Sequence, residues 1–143
     1  AKDVAYGDWV SVPRLSGEQD FYFNFKKHGN NKEPQQHKLD EGFAWLLGLY
    51  IAEGFTNYGN LGGRITLTLN RNEEDLANRA IIEFNRIGLH ASIYRNAVGN
   101  VILVKSSCID LCRKFDELCN KYAENKIVAE FRKFSNESII RSF

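Results

Sequence analysis

The sequence Phe43-Ala-Trp-Leu-Leu-Gly-Leu-Tyr-Ile-Ala-Glu-Gly54 decides the fold of this chain. Built as a helix, it is apolar around its whole circumference, which predicts a helix packed inside the protein rather than on its surface. A bilayer-spanning helix needs roughly 20 apolar residues, so this stretch is too short to cross a membrane. Asp40 is the expected N-cap, and the helix is expected to end at the acid Glu53, just before Gly54.

Small residues recur at every fourth position of this helix. Ala44, Gly48 and Ala52 form one bare stripe, because residues four apart lie above each other on a helix. Such a stripe lets a second helix backbone approach closely, so we expect Leu47, Gly48, Ile51 and Ala52 at a helix–helix interface. The alternative is an ordinary core helix that carries an acid at its end.

The clearest strand follows a Gly62-Gly63 pair. From Arg64 to Asn70 the residues alternate between apolar and polar, a period of two that is typical of a strand with one buried face. The other expected elements are a short strand Phe55–Asn60, an amphipathic helix Glu73–Ile87 closed by Gly88, a hairpin of Leu89–Asn96 and Asn100–Lys105, a helix capped by Ser107 and running to Asn120, and a last helix Ile127–Phe134.

This order of elements predicts an α+β fold. The core is αββαββα, with a four-stranded antiparallel sheet and all helices on one face. The opposite face of the sheet is then left to solvent or to a ligand. Along the best strand, that face carries Arg64, Thr66, Thr68 and Asn70, whose side chains can donate to and accept from base edges.

Residues 1–38 differ in composition from the rest, so we divide the chain into an N-terminal arm or linker, 1–38, and a domain, 39–143. Within the arm, Tyr6–Arg14 and Asp20–Phe25 are expected to be short strands. Lys26–Lys38 is polar and is interpreted as a solvated linker, the alternative being a basic arm that touches phosphate.

Composition narrows the class of protein. The formal net charge of the 143 residues is only +1, but Phe55–Asn72 and Phe84–Ile109 contain no Asp or Glu. A surface built from these two stretches would be basic and would suit a nucleic acid. No signal peptide or transmembrane segment is evident, so we expect an intracellular protein without a membrane partner. Its three cysteines are expected to pack in the core rather than bind zinc.

The segment Leu46–Gly54 resembles the signature of the LAGLIDADG homing endonucleases. Gly48, Ala52, Glu53 and Gly54 match that signature, whereas Ile51 stands where the family more often has Asp. The resemblance implies that the sheet is a saddle that lies in the major groove of double-stranded DNA. The DNA-binding residues that we predict are Asn57, Tyr58, Arg64, Thr66, Thr68, Asn70, Arg71, Tyr94, Asn96 and Lys105.

The resemblance also implies a catalytic site. The Glu53 carboxylate and the carbonyl of Ala52 would bind Mg²⁺, or another divalent cation such as Mn²⁺, as oxygen ligands. Tyr122–Ile127 is similar to the family segment that contributes a lysine, which makes Lys126 the second catalytic residue. Arg71 would lie near the scissile phosphates.

The chain contains one copy of the motif, and a duplex has two strands to cut. The resemblance therefore implies a homodimer that hydrolyses both strands at a specific site, as an intron-encoded protein or as the endonuclease portion of an intein. Gly7–Arg14 is similar to the segment that enters an intein endonuclease domain. The alternative function is a catalytically inactive DNA- or RNA-binding protein, a maturase or transcription factor, on the same fold.

Overall fold

The computed structural model describes residues 22–27, 33–60, 62–96 and 99–119. The elements are β1 Tyr22–Phe25, β2 Gln35–Lys38, α1 Glu41–Glu53, β3 Gly54–Gly59, β4 Gly62–Asn70, α2 Glu74–Arg86, β5 Ala91–Asn96, β6 Val101–Ser107 and α3 Ile109–Cys119. From α1 to α3 the order is the predicted αββαββα, and the α+β class is confirmed. The expected strand Tyr6–Arg14 and helix Ile127–Phe134 lie outside the described residues.

β3 to β6 form one antiparallel sheet in the order β3-β4-β6-β5. The helices pack on one side of it: α3 contacts β3 and β4, α2 contacts β5 and β6, and α1 contacts β3 and β4. Ile65, Leu67 and Leu69 of β4 are buried beneath the helices, which confirms the predicted inward face of this strand, and Ile102 and Val104 of β6 are buried beside them. The other side of the sheet is not covered by any described helix.

α1 is the central helix, as its composition predicts. The side chain of Asp40 caps it by accepting from the Phe43 N–H at 2.9 Å, and Leu46 and Tyr50 are fully buried. The helix passes into β3 without a loop, because Gly54 adopts extended backbone angles. A Cβ on Gly54 would lie 2.7 Å from the carbonyl oxygen of Tyr50, so this junction requires glycine.

Within the described residues, no helix is both long and apolar enough to cross a membrane.

α2 follows its predicted pattern closely. Ala80, Phe84 and Ile87 are buried, and Leu76 and Ile81 pack against the core while remaining partly exposed. The helix ends as predicted, because Gly88 has a φ of +78°, which glycine adopts without strain.

Part of the expected linker is a strand. β2 pairs with β1, and this hairpin packs on the core through Phe25, which is buried, and Phe23, whose ring centroid is 4.4 Å from that of Phe43. The sequence of β2 shows no apolar alternation, because His37 is its one inward-facing side chain. Sequence periodicity therefore could not reveal this strand.

The start of α3 also differs from the prediction. Ser107 is the last residue of β6, paired with Arg64, and so does not cap the helix. Ile109, expected inside, is 38% exposed. The cysteines pack in the core as expected, because all three are buried, and burial raises the pKa of Cys112 to about 12.

His37 makes the hairpin sensitive to acid. Its ring stacks on Phe25 with centroids 4.5 Å apart, and its Nε2 is buried without a hydrogen-bond partner. Burial first, then Lys27 and Arg86, lower its pKa from the usual 6.5, although Arg86 is itself paired with Asp40. The unfolded chain therefore binds the proton more readily, so the contribution of His37 to stability is complete above pH 6.5 and is lost on acidification.

We expect the thermal midpoint to fall between pH 7.5 and pH 5, and to fall less in His37→Phe. His90→Gln, which changes an exposed imidazole, should retain the dependence of the wild type. Thermal unfolding followed by circular dichroism at both pH values measures the difference. An unchanged pH dependence in His37→Phe would contradict the assignment to His37.

Candidate nucleic-acid interface

The uncovered side of the sheet is a continuous surface, which we call the open face. Its described residues alternate with the core residues along each strand: Phe55, Asn57, Arg64, Thr66, Thr68, Asn70, Ser92, Tyr94, Asn96, Val101, Leu103, Lys105 and Ser107. None of them is acidic, and two are cationic. This confirms that the acid-free stretches of the sequence come together on one surface.

Strand register sets the rows of the open face. Asn57 pairs with Arg64, and in the next row Phe55 pairs with Thr66, which pairs with Lys105. Neighbouring strands lie about 4.8 Å apart, so the four strands span about 14 Å from edge to edge. Thr66 lies in the middle of its row and is only 4% exposed. Its neighbours therefore provide the accessible surface there.

The two cations of the open face have different surroundings. Arg64 is exposed, and within the part of the chain that the structure describes its guanidinium makes no ion pair or hydrogen bond. The Lys105 ammonium lies 4.6 Å from the centre of the Tyr94 ring, a cation–π contact that holds it over the sheet. Arg95 points to the helix side, where it pairs with Glu74. The face thus presents two positive charges without neutralising acids.

A cavity of about 570 Å³ opens at the β3–β4 end of this face. Its lining combines one exposed aromatic ring, polar and cationic side chains and several glycines: Phe55, Asn57, Gly59, Asn60, Gly62, Gly63, Arg64, Thr66, Leu103, Lys105, Ser107 and Ile109. A Cβ on Gly59 or Gly62 would meet nothing within 4 Å, so there is open space beside both glycines at this end of the sheet.

The structure brings most of the predicted DNA-binding residues together on the open face: Asn57, Arg64, Thr66, Thr68, Asn70, Tyr94, Asn96 and Lys105. Arg71 follows the last residue of β4, and its backbone N–H donates to the carbonyl of Asn100 in the β5–β6 turn. It therefore lies at the end of the sheet opposite the cavity.

Tyr58 is separated from this group. The pairing of Tyr58 with Gly63 places it on the helix side, and its hydroxyl donates to Asp116 Oδ2 at 2.5 Å. The other oxygen of Asp116 accepts from Tyr50 at 3.2 Å and from Thr56 at 2.7 Å. Burial, with the nearby carboxylate, raises the pKa of both tyrosines far above 10.0.

Asp116 thus ties α3 to α1 and to β3, a role that sequence reasoning missed. The available signal was an acid on the apolar stripe of α3, between Cys112 and Cys119. An acid at such a position needs partners, and the short β3 supplies two of them.

The expected catalytic residues are not assembled in the described residues. Glu53 and Ala52 are exposed at the end of α1. Across the described ranges, no group of three His, Cys, Asp or Glu side chains is placed to hold a metal ion. Lys126 lies outside the described residues. Binding of Mg²⁺ or Mn²⁺ through Glu53 and Ala52 stays a prediction.

One of the four residues expected at the helix–helix interface, Leu47, does not lie on the surface of the protein. Leu47 is fully buried in the core of its own chain, so its prediction as an interface residue is wrong. Gly48 and Ile51 are partly exposed and Ala52 is exposed. Leu47 and the outer residues all look apolar in sequence, which is why the pattern could not separate them.

No protein-family model matches the chain. The chain is similar to a protein named replication factor C small subunit from Methanocaldococcus jannaschii, with 38% identity over 109 residues. The match covers 70% of this chain but only 6% of that protein. The name therefore describes a much longer chain, of which the matched region is a small part.

These findings overturn the identification drawn from the motif. No family model supports membership in the LAGLIDADG homing endonucleases, and the similar protein bears the name of a replication factor. The predictions of a site-specific homing endonuclease, and of an inactive protein derived from one, are corrected accordingly, together with the magnesium-dependent cleavage that they implied.

Proposed function

We propose that this chain is a DNA-binding domain whose open face docks on duplex DNA. The observation that carries the proposal is the absence of acids from the described residues of that face, which displays Arg64 and Lys105. Phosphate contacts by cations supply most of the affinity in protein–DNA binding, and an acid on the face would oppose them.

The dimensions of the face suit a groove. The major groove is about 12 Å wide and admits a β-ribbon. The two central strands, β4 and β6, carry the cations, so a ribbon made of them can enter the groove while the long side chains of Arg64 and Lys105 reach toward the phosphates at its edges. Asn57 offers a donor and an acceptor, and Asn70, whose amide oxygen accepts from the Asn72 N–H at 3.1 Å, offers its amide donor, which is the chemistry that reads base edges.

The similar protein supports this proposal through its name, since a replication factor works where DNA is copied. The region matched is 6% of that protein, so its activity as a whole is not transferred here. What we carry over is the nucleic-acid context alone.

Titration of the ¹⁵N-labelled chain with a 20-base-pair duplex tests the proposal. We expect the amide signals of β4 and β6 to shift and those of α2 to remain in place. Affinity should fall steeply with added salt, because bound cations release counterions from the phosphates. Shifts confined to α2, or affinity that is independent of salt, would show that the open face is not the binding surface.

We also propose that two copies of the chain associate through the outer side of α1. The partly exposed Gly48 and Ile51 and the exposed Ala52 support this, because apolar surface on a helix favours burial against a partner. Sedimentation of the wild type and of Gly48→Leu, with and without DNA, tests the association. A strictly monomeric complex with DNA would refute it.

A further inference from the structure

We infer that the cavity at the β3–β4 end of the open face binds a single unpaired base of the docked DNA, with Phe55 as its stacking surface. This inference rests on the proposed function and adds a ligand for one part of the face. It makes Phe55, which no sequence pattern singled out, a specificity-determining residue.

Phe55 is the first observation. Its side chain is 46% exposed on a face of otherwise mostly polar residues. The other exposed rings of the sheet are engaged, since Tyr58 donates to Asp116 and Tyr94 carries the Lys105 ammonium. Among the described residues, no aromatic ring or cation packs on the Phe55 ring. An apolar ring kept in water without a partner is suited to take one from a ligand.

The composition of the cavity is the second observation. Its volume of about 570 Å³ falls within the range of about 300–1,000 Å³ of sites for small organic ligands. Gly59 and Gly62 leave its edge open, so that a planar group can reach the ring. Asn57 can form two hydrogen bonds with the edge of a base, and Arg64 stands in the same row for the attached phosphate.

A paired base cannot use this site. Inside a duplex both faces of each base are covered by its neighbours, so an aromatic side chain has no face to stack on. A base that has left the stack exposes one face and its pairing edge, which match the ring of Phe55 and the amide of Asn57. The cavity therefore favours a duplex with an unpaired nucleotide over a fully paired one.

Three duplexes of one sequence test the inference. One carries a single bulged 2-aminopurine, the second an abasic residue in the bulge, and the third is fully paired. We expect the wild type to bind the bulged base roughly tenfold more tightly than the abasic bulge, which is within the range that base–aromatic stacking contributes. The 2-aminopurine fluorescence should be quenched on binding.

Phe55→Leu should remove this preference and the quenching, so that the bulged base and the abasic bulge bind with equal affinity. Phe55→Trp should restore the preference. Tyr22→Leu, at an exposed ring of β1 outside the open face, is the control and should keep it. The thermal midpoint of each variant reports folding.

Equal affinity of the wild type for the bulged base and the abasic bulge would overturn the inference, and so would a preference that persists in Phe55→Leu. If the paired duplex binds through β4 and β6 without any base preference, the proposed function stands and this inference falls. If no DNA binds, both fall.

Discussion

Asp116→Ala is expected to lower the free energy of unfolding by about 3 kcal/mol. The carboxylate accepts from the hydroxyls of Tyr50, Thr56 and Tyr58. Hydrogen bonds to a charged group contribute about 1.5–3 kcal/mol each, and we discount their sum because Asp116 is itself partly exposed. Tyr50 is fully buried, so its hydroxyl cannot turn to water for compensation.

Urea denaturation measures this loss. Asp116→Asn keeps one acceptor oxygen and should lose less than the alanine variant. Glu117→Ala, the adjacent residue, should change stability by less than about 0.5 kcal/mol, because it removes only an exposed pair with Lys114. If Asp116→Ala loses less than about 1 kcal/mol, the three hydroxyls do not depend on this carboxylate.

The second large effect concerns binding. We expect Arg64→Glu combined with Lys105→Glu to weaken binding to duplex DNA roughly 100-fold at moderate salt. Each change removes a cation from the open face and places an anion against the phosphates. The slope of log affinity against log salt should become shallower by about two units, one for each cation that no longer binds a phosphate.

A matched control separates position from charge. Arg113→Glu with Lys114→Glu changes the net charge equally, but both residues lie on α3 in the helix layer. Fluorescence anisotropy with one labelled duplex compares the two double variants. Equal losses of affinity in both would show that overall charge, rather than the open face, controls binding.

The regular elements could be predicted because their patterns are strong. The alternation of β4 places Leu67 and Leu69 inside and Arg64 outside, and Gly88 ends α2 as expected. β2 could not be predicted, since its one inward-facing residue is a histidine. β2 is a strand because it pairs with β1, and the sequence of one strand alone does not reveal its partner.

Some residues of the open face could be predicted from the sequence and others could not, because a residue's side of the sheet depends on strand pairing. Arg64 and Thr68 follow from alternation along one long strand, but β3 is short and mixed in composition, so the side on which Tyr58 lies depends on its register with β4. The Asp116 network joins residues about 60 positions apart. Periodicity within one segment carries no information on such contacts.

The motif in α1 also has a structural explanation. Gly54 is required because a side chain there would collide with the backbone of Tyr50, and this holds whatever the function of the protein is. A glycine after an apolar helix is therefore expected at any such direct helix–strand junction. Short motifs of this kind indicate local geometry more reliably than they indicate an activity.

The absence of a loop between α1 and β3 has a mechanical consequence. Asp116 accepts from Tyr50 of the helix and from Thr56 of the strand, so the two elements are joined both through the chain at Gly54 and through this carboxylate. Phe55 follows Gly54 directly, so the packing of α1 also fixes the backbone from which the Phe55 ring lines the cavity.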